Sequence, residues 1–269
     1  MRVASANLRE PRIVRATTLR PPVATRETVF RPSRYQSAPV TLVRFVLITK
    51  YFVFLHVPKT GGLFVKEICG RFLPPDWFVP NTLHDHNGLQ AIPPEYGHLP
   101  ILSFVRNPWD WYVSWFHYAT QDLPRPSWLW SAFLDGGRSS FENAVVAACT
   151  GCRNGTPLAP PRPPGPQWWR AMQELDADYY TAMHWLITGQ GVDKGRVQVG
   201  RFESLRRDLA NFFLRNDIPV GEDLLKRIEH LPPSNESQRG PYKDYYDDDL
   251  RQVVAARARL LISSYGYSF

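Results

Sequence analysis

The hydrophobic pattern of this chain changes abruptly after residue 40. Residues 1–40 hold no persistent apolar period and are broken by Pro11, Pro21, Pro22, Pro32 and Pro39, which predicts a flexible arm. Tyr51–Val57 (YFVFLHV) is a short, continuous run of aromatic and aliphatic residues, the pattern of a strand buried on both faces. Pro58 ends it, Gly61 and Gly62 follow, and Leu63, Phe64, Ile68 and Phe72 then recur at helical spacing. A second strand–turn–helix unit runs from Ile101–Val105 into a helix opened by Pro108 and extending to about Tyr118. A third leads from Val197–Gly200 into Glu203–Leu214, with Leu205, Leu209, Phe212 and Phe213 on one face.

Repeated strand–helix alternation predicts an α/β fold, a three-layer domain whose central parallel sheet is covered by helices. Between residues 121 and 176 the pattern dissolves. Six prolines crowd Pro157–Pro166, bracketed by Trp128/Trp130 and Trp168/Trp169, so this stretch is expected to be a partly packed excursion. Residues 244–264 read as helical, with Leu250, Val253, Val254, Ala258 and Leu261 on one side. The expected organisation is an arm over 1–40 and one domain over 41–269.

Composition narrows the field. Among 269 residues, 43% are apolar and 13% aromatic, which excludes a mostly disordered or fibrous chain. The formal charge of +7 invites a nucleic-acid partner, but residues 1–40 carry eight Arg against only Glu10 and Glu27. The body from 41 onward is nearly neutral. A duplex-wrapping domain carries its charge on the folded surface, so no nucleic-acid partner is expected. Cys69, Cys149 and Cys152 are too few for a disulfide scaffold, and Cys149-Thr-Gly-Cys152 lacks the second pair of a zinc ribbon. It reads as two reduced thiols in a loop. The most apolar stretch, 40–57, is interrupted by Arg44 and Lys50, which argues against a membrane span. No apolar segment of a signal peptide follows Met1, and the acid-poor tail has a transit-like composition. A cytoplasmic chain is expected.

The chemistry concentrates at two turns. His56-Val-Pro58-Lys59-Thr60-Gly61-Gly62-Leu63-Phe64 joins a buried strand to a helix. A helix N-terminus offers unpaired N–H groups and the positive end of a dipole. Two glycines permit close backbone approach, Lys59 adds a point charge and Thr60 a hydroxyl. The Walker pattern does not fit, because Pro58 precedes Lys59. At the second turn, Arg106-Asn107-Pro108-Trp109-Asp110 puts a guanidinium at the strand end, and Ser114 lies two helical turns on. An arginine fork suits phosphate oxygens. Two such turns at the carboxyl ends of parallel strands suit a ligand with two separated phosphates.

These residues resemble the sulfotransferases that use 3′-phosphoadenosine 5′-phosphosulfate (PAPS). Pro58 to Gly62 resembles their 5′-phosphosulfate loop, and Arg106 to Asp110 with Ser114 their 3′-phosphate segment. Arg201-Phe-Glu-Ser-Leu205 resembles a family strand end. Pro232 to Tyr246, with Asn235, Ser237 and Tyr242 to Tyr246, resembles its late loop, and Gly266 to Phe269 its usual ending. The resemblance covers roughly 52–269 outside the Pro-rich excursion and is nearest to the carbohydrate-type branch with a Pro-Lys-Thr-Gly-Gly turn. It implies a fold akin to P-loop nucleotide kinases. It also implies transfer of a sulfuryl group from PAPS, the co-substrate, to a hydroxyl of a carbohydrate or small-molecule acceptor. Backbone groups of Thr60, Gly61, Gly62, Leu63 and Phe64 then hold the 5′-phosphate, Arg106 and Ser114 hold the 3′-phosphate, and Lys59 neutralises the leaving oxygen. Leu63 and Phe64 stand where the family usually has Thr and Ser; the missing hydroxyl is one hydrogen bond to a charged group, on the order of 1.5–3 kcal/mol.

Proton removal from the acceptor needs a base. His84-Asp85-His86 lies between the two turns, and relatives place a His here with an apolar residue six positions on; His86 with Ile92 matches, leaving His84 in reserve. No metal is required by these residues. Trp109, Trp111 and Trp115 read as core, His117 and His184 as packed side chains, and Asp247–Asp249 as a helix N-terminus. Two other readings stay open at this point: a P-loop-like nucleotide phosphotransferase, and a non-catalytic nucleotide-binding relative for which Leu63 is the motive.

Overall fold

The structure is a computed structural model that describes residues 46–79, 88–120, 133–158, 167–189, 195–232 and 239–269, all within the unit Val40–Phe269. Strands β1 (Val46–Ile48), β2 (Val53–Leu55), β3 (Ile101–Val105), β4 (Cys152–Arg153), β5 (Thr156–Pro157) and β6 (Val197–Arg201) form two sheets. The central sheet has the order β1-β2-β3-β6. β2, β3 and β6 run parallel, with Val53 opposite Ile101 and Val105 opposite Arg201. β1 pairs antiparallel with β2. The expected parallel sheet is therefore mixed at one edge, because the tight turn at Thr49–Phe52 reverses the chain: the Thr49 hydroxyl donates to the Phe52 carbonyl and accepts the Phe52 N–H.

Side chains on successive strand residues point to opposite faces, and the core divides accordingly. Val53, Leu55, Ile101 and Val105 enter one cluster, while Phe52, Phe54, Leu102 and Phe104 enter the other. The second face is covered by α1 (Gly62–Phe72), α6 (Leu205–Arg215) and α7 (Glu222–His230) through Phe64, Ile68, Leu209, Phe213 and Ile228. The first face carries α2 (Pro108–Ala119), α3 (Phe141–Thr150), α4 (Gln167–Glu174), α5 (Tyr179–Thr188), α8 (Asp248–Arg257) and α9 (Arg259–Tyr265). The result is a three-layer α/β domain with a mostly parallel sheet.

Two expectations change. The stretch 121–176 is not patternless where it is described: α3, the β4–β5 hairpin and α4 occupy it. Ala144, Val145, Ala147, Ala148 and Cys149 of α3 are fully buried in the main core. Small residues hide this helix from a search for large apolar periodicity. Cys149 is accordingly a helix residue, and burial pushes its thiol well up from the ordinary range. The predicted C-terminal helix is two, α8 and α9, separated at Ala258, with a short 3-10 turn at Tyr242–Tyr245 before them. Trp109, Trp111 and Trp115 are core residues, and Asp247 caps α8 by accepting the Leu250 N–H. No described helix is long and apolar enough to cross a membrane.

Candidate functional site

The parallel register puts the carboxyl ends of β2, β3 and β6 side by side, so residues 56–61, 106–107 and 202–204 share one edge of the sheet. Open α/β sheets bind ligands at such an edge.

At the first turn, Lys59 adopts φ 65° and Gly61 φ 87°. Gly61 is the N-cap of α1 and supplies no side-chain hydrogen bond, unlike Asn107, Asp178 and Asp247, which cap α2, α5 and α8. The first N–H groups of α1 are thus left without a side-chain cap. A Cβ on Gly61 would lie 2.6 Å from Leu205 Cδ2 and 3.2 Å from Phe202 Cδ2, in a backbone conformation that disfavours side chains. The Thr60 side chain is fully buried and its hydroxyl donates to the Val57 carbonyl at 2.7 Å. Its hydroxyl braces the turn from below and leaves only backbone to face a ligand. Leu63 is 53% exposed at the start of α1, whereas Phe64 is buried in the second cluster.

Arg106 directly follows β3 and is 6% exposed. Its Nε and Nη2 both reach Asp110 Oδ2 at 2.7 Å, and its Nη1 donates to the Lys59 carbonyl at 3.1 Å. Its Cζ lies 3.9 Å from the centre of the Phe202 ring. Asn107 accepts the Trp109 and Asp110 N–H groups, which starts α2 immediately after the arginine. Glu203 accepts the Asn107 N–H at 2.7 Å and the Tyr267 hydroxyl at 3.0 Å, and Asn107 Nδ2 donates to the Ser268 carbonyl. Ser114 is buried one turn beyond Asp110, and Tyr118 lies one turn further on the same helical stripe. The Lys59 ammonium sits 4.2 Å from the Tyr118 ring centre. The two predicted turns therefore touch, and the stripe Asp110–Ser114–Tyr118 runs alongside Lys59.

Arg239 was missed in the sequence. It forms an ion pair with Asp110, so one carboxylate joins two guanidinium groups, Arg106 through Oδ2 and Arg239 through Oδ1. The available signal was an Arg-Gly pair inside the late loop that Pro232 to Tyr246 resembles. Burial, then repulsion from Arg106 and Arg239, pushes Lys59 down to about 8. His56, under the turn, is pushed down to about 3 by burial and then by Lys66 and Lys59, so it stays neutral. The site is electropositive, water-excluding on its inner side and lined by N–H donors: it can hold phosphate-like groups and stabilise charge on a departing oxygen. His84 and His86 lie outside the described residues, as do Asn235 and Ser237. No group of three or more His, Cys, Asp or Glu among the described residues is placed to hold a metal.

No family model and no curated protein matches the chain. Among solved structures, the crystal structure of mouse sulfotransferase SULT7A1 complexed with PAP is similar over 81% of this chain and 89% of its own, at 15% identity and a TM-score of 0.48.

Proposed function

We propose that the protein is a PAPS-dependent sulfotransferase acting on a hydroxyl of a carbohydrate or small-molecule acceptor. The observation that carries this reading is the Arg106 guanidinium bonded to the Lys59 carbonyl, which sets two anion-binding turns side by side at adjacent strand ends. One turn offers uncapped N–H groups of Gly62, Leu63 and Phe64; the other offers Arg106, Ser114 and Arg239. A donor with phosphates at its 5′ and 3′ positions fits both ends.

In this reading, the backbone from Thr60 to Phe64 orients the 5′-phosphosulfate, and Arg106 with Ser114 fixes the 3′-phosphate. The acceptor oxygen bonds to sulfur as the bond from sulfur to the bridging phosphate oxygen breaks. Lys59 stabilises the charge growing on that oxygen, and His86 takes the acceptor proton. This is catalysis by positioning and electrostatics, without a covalent enzyme intermediate. The branch with carbohydrate acceptors, a cytoplasmic site of action and the arm over 1–40 belong to the same proposal.

Sulfur-labelled PAPS incubated with a panel of glycans and small hydroxylated metabolites tests it, alongside thermal protection by adenosine 3′,5′-bisphosphate. Label transfer, lost in Lys59→Ala and His86→Ala with the fold intact, supports the reading. Protection without transfer to any acceptor leaves a nucleotide-binding protein, and protection by ATP in place of the bisphosphate points to a phosphotransferase.

A further inference from the structure

One tyrosine holds the second turn from behind and reaches the first through a tryptophan. Tyr180, on α5, is fully buried. Its hydroxyl accepts the Arg106 N–H at 2.8 Å and donates to the Arg106 carbonyl at 3.2 Å, a two-point clamp on the backbone that carries the guanidinium. Its ring stacks on Trp111 with centres 4.4 Å apart and planes 6° from parallel. Trp111 in turn donates its indole N–H to the Pro58 carbonyl at 2.8 Å. The path Arg106–Tyr180–Trp111–Pro58 therefore crosses from the second turn to the first through rigid rings with few torsions. α5 is itself fixed: Asp178 caps it, accepts the Tyr112 hydroxyl at 2.8 Å and donates its N–H to the Arg257 carbonyl.

We propose that Tyr180, with Trp111, is a positioning residue that fixes the spacing of the two anion-binding turns and so sets the preference for a ligand with two separated phosphates over a ligand with one. The inference rests on the functional reading above. When one end of a divalent ligand is bound, the second phosphate meets its turn at an effective concentration set by geometry. Loosening that geometry weakens divalent binding and leaves each monovalent contact nearly untouched. A residue that merely supported the fold would weaken all ligands together.

The test uses the full chain and Tyr180→Phe, which keeps the ring and removes the hydroxyl. Affinities for adenosine 3′,5′-bisphosphate, adenosine 5′-monophosphate and adenosine 3′-monophosphate are measured by calorimetry. We expect about a tenfold loss for the bisphosphate and less than a twofold change for either monophosphate. Equal losses for all three, or no loss for any, overturn the proposal. Hydrogen exchange of the ligand-free protein reads the brace without any nucleotide: exchange at 59–62 and at Arg106 rises together in Tyr180→Phe, and rises at 59–62 in Trp111→Phe. Unchanged exchange at both turns overturns the proposal as well. A wild-type protein that binds the bisphosphate no better than the monophosphates sinks the functional reading, while the exchange data still decide whether the brace exists. If Tyr180→Phe shows no folding transition, Trp111→Phe carries both measurements, with the same selective loss expected.

Discussion

The imidazole of His56 fills the space that any side chain at Gly62 would enter: a Cβ there would overlap Cδ2 and Nε2 of the ring. The bend thus has two independent demands for glycine, a positive φ at Gly61 and a close neighbour at Gly62. Gly62→Ala is expected to destabilise the fold by about 1–3 kcal/mol through overpacking. Urea unfolding checks the loss, and His56→Ala in the same chain should restore part of it. A Gly62→Ala protein as stable as the wild type removes this account of the bend.

Lys59 makes ligand binding depend on pH. Its ammonium, already pushed down to about 8, loses its proton as pH rises through that value in the free protein. A bound phosphate raises the pKa again, so affinity for the bisphosphate is level below pH 8 and falls above it. Calorimetry at pH 8.5 in two buffers of different ionisation enthalpy should detect proton uptake on binding. Lys59→Arg should abolish that uptake, and undiminished wild-type affinity at pH 9.5 contradicts the assignment.

Stability should also follow the buried histidines. His56 and His184 are both held down to about 3, the second by burial alone, and neither ring nitrogen of His184 is bonded among the described residues. The unfolded chain protonates them near 6.5. Stability is therefore full above pH 6.5 and falls as pH drops from 6.5 towards 3, by at most about 1.4 kcal/mol per pH unit for each histidine. His184→Leu should flatten this slope in a thermal-melt series. An identical slope in the variant assigns the acid loss to other groups.

Leu63 offers a gain of affinity. It is exposed, so Leu63→Thr disturbs little of the core. A hydroxyl there would add one hydrogen bond to a charged group, on the order of 1.5–3 kcal/mol, which is at least tenfold tighter bisphosphate binding. Unaltered affinity in the variant places the 5′-phosphate away from this position.

Arg106→Lys separates charge from shape. Lysine keeps the charge but loses the forked contact with Asp110, the bond to the Lys59 carbonyl and the face of Phe202. Bisphosphate affinity is expected to fall by about tenfold to a hundredfold, in line with losing hydrogen bonds to a charged group. Full affinity in Arg106→Lys excludes a forked contact with phosphate.

β2, β3, β6, α1, α2, α6 and the two turns were legible because large apolar side chains and Gly/Pro punctuation mark them. α3 was not, since Ala144, Ala147 and Ala148 bury a helix face without large side chains. Of the site, Lys59 and Arg106 announced themselves by sitting at predicted strand ends. Arg239 did not, because its place beside Asp110 depends on a fold contact across 129 positions of sequence. Tyr180 is similar: a tyrosine in an apolar helix reads as core, and only the coordinates show its hydroxyl on the Arg106 backbone. The use of the Thr60 hydroxyl was equally hidden, since a hydroxyl in a loop is as easily spent beneath the turn as above it.

The docking of residues 267–269 has a practical consequence. The Phe269 ring lies edge-on to Trp109, Tyr242 and Tyr246, and Ser268 holds the amide that starts α2. Trimming even three residues would therefore reach the Arg106 turn, and an affinity tag appended there would tug on it. Exposed Thr156 on the β4–β5 hairpin, beside Gly155 whose positive φ would strain any side chain, is the better place to attach a fluorophore or an immobilising group.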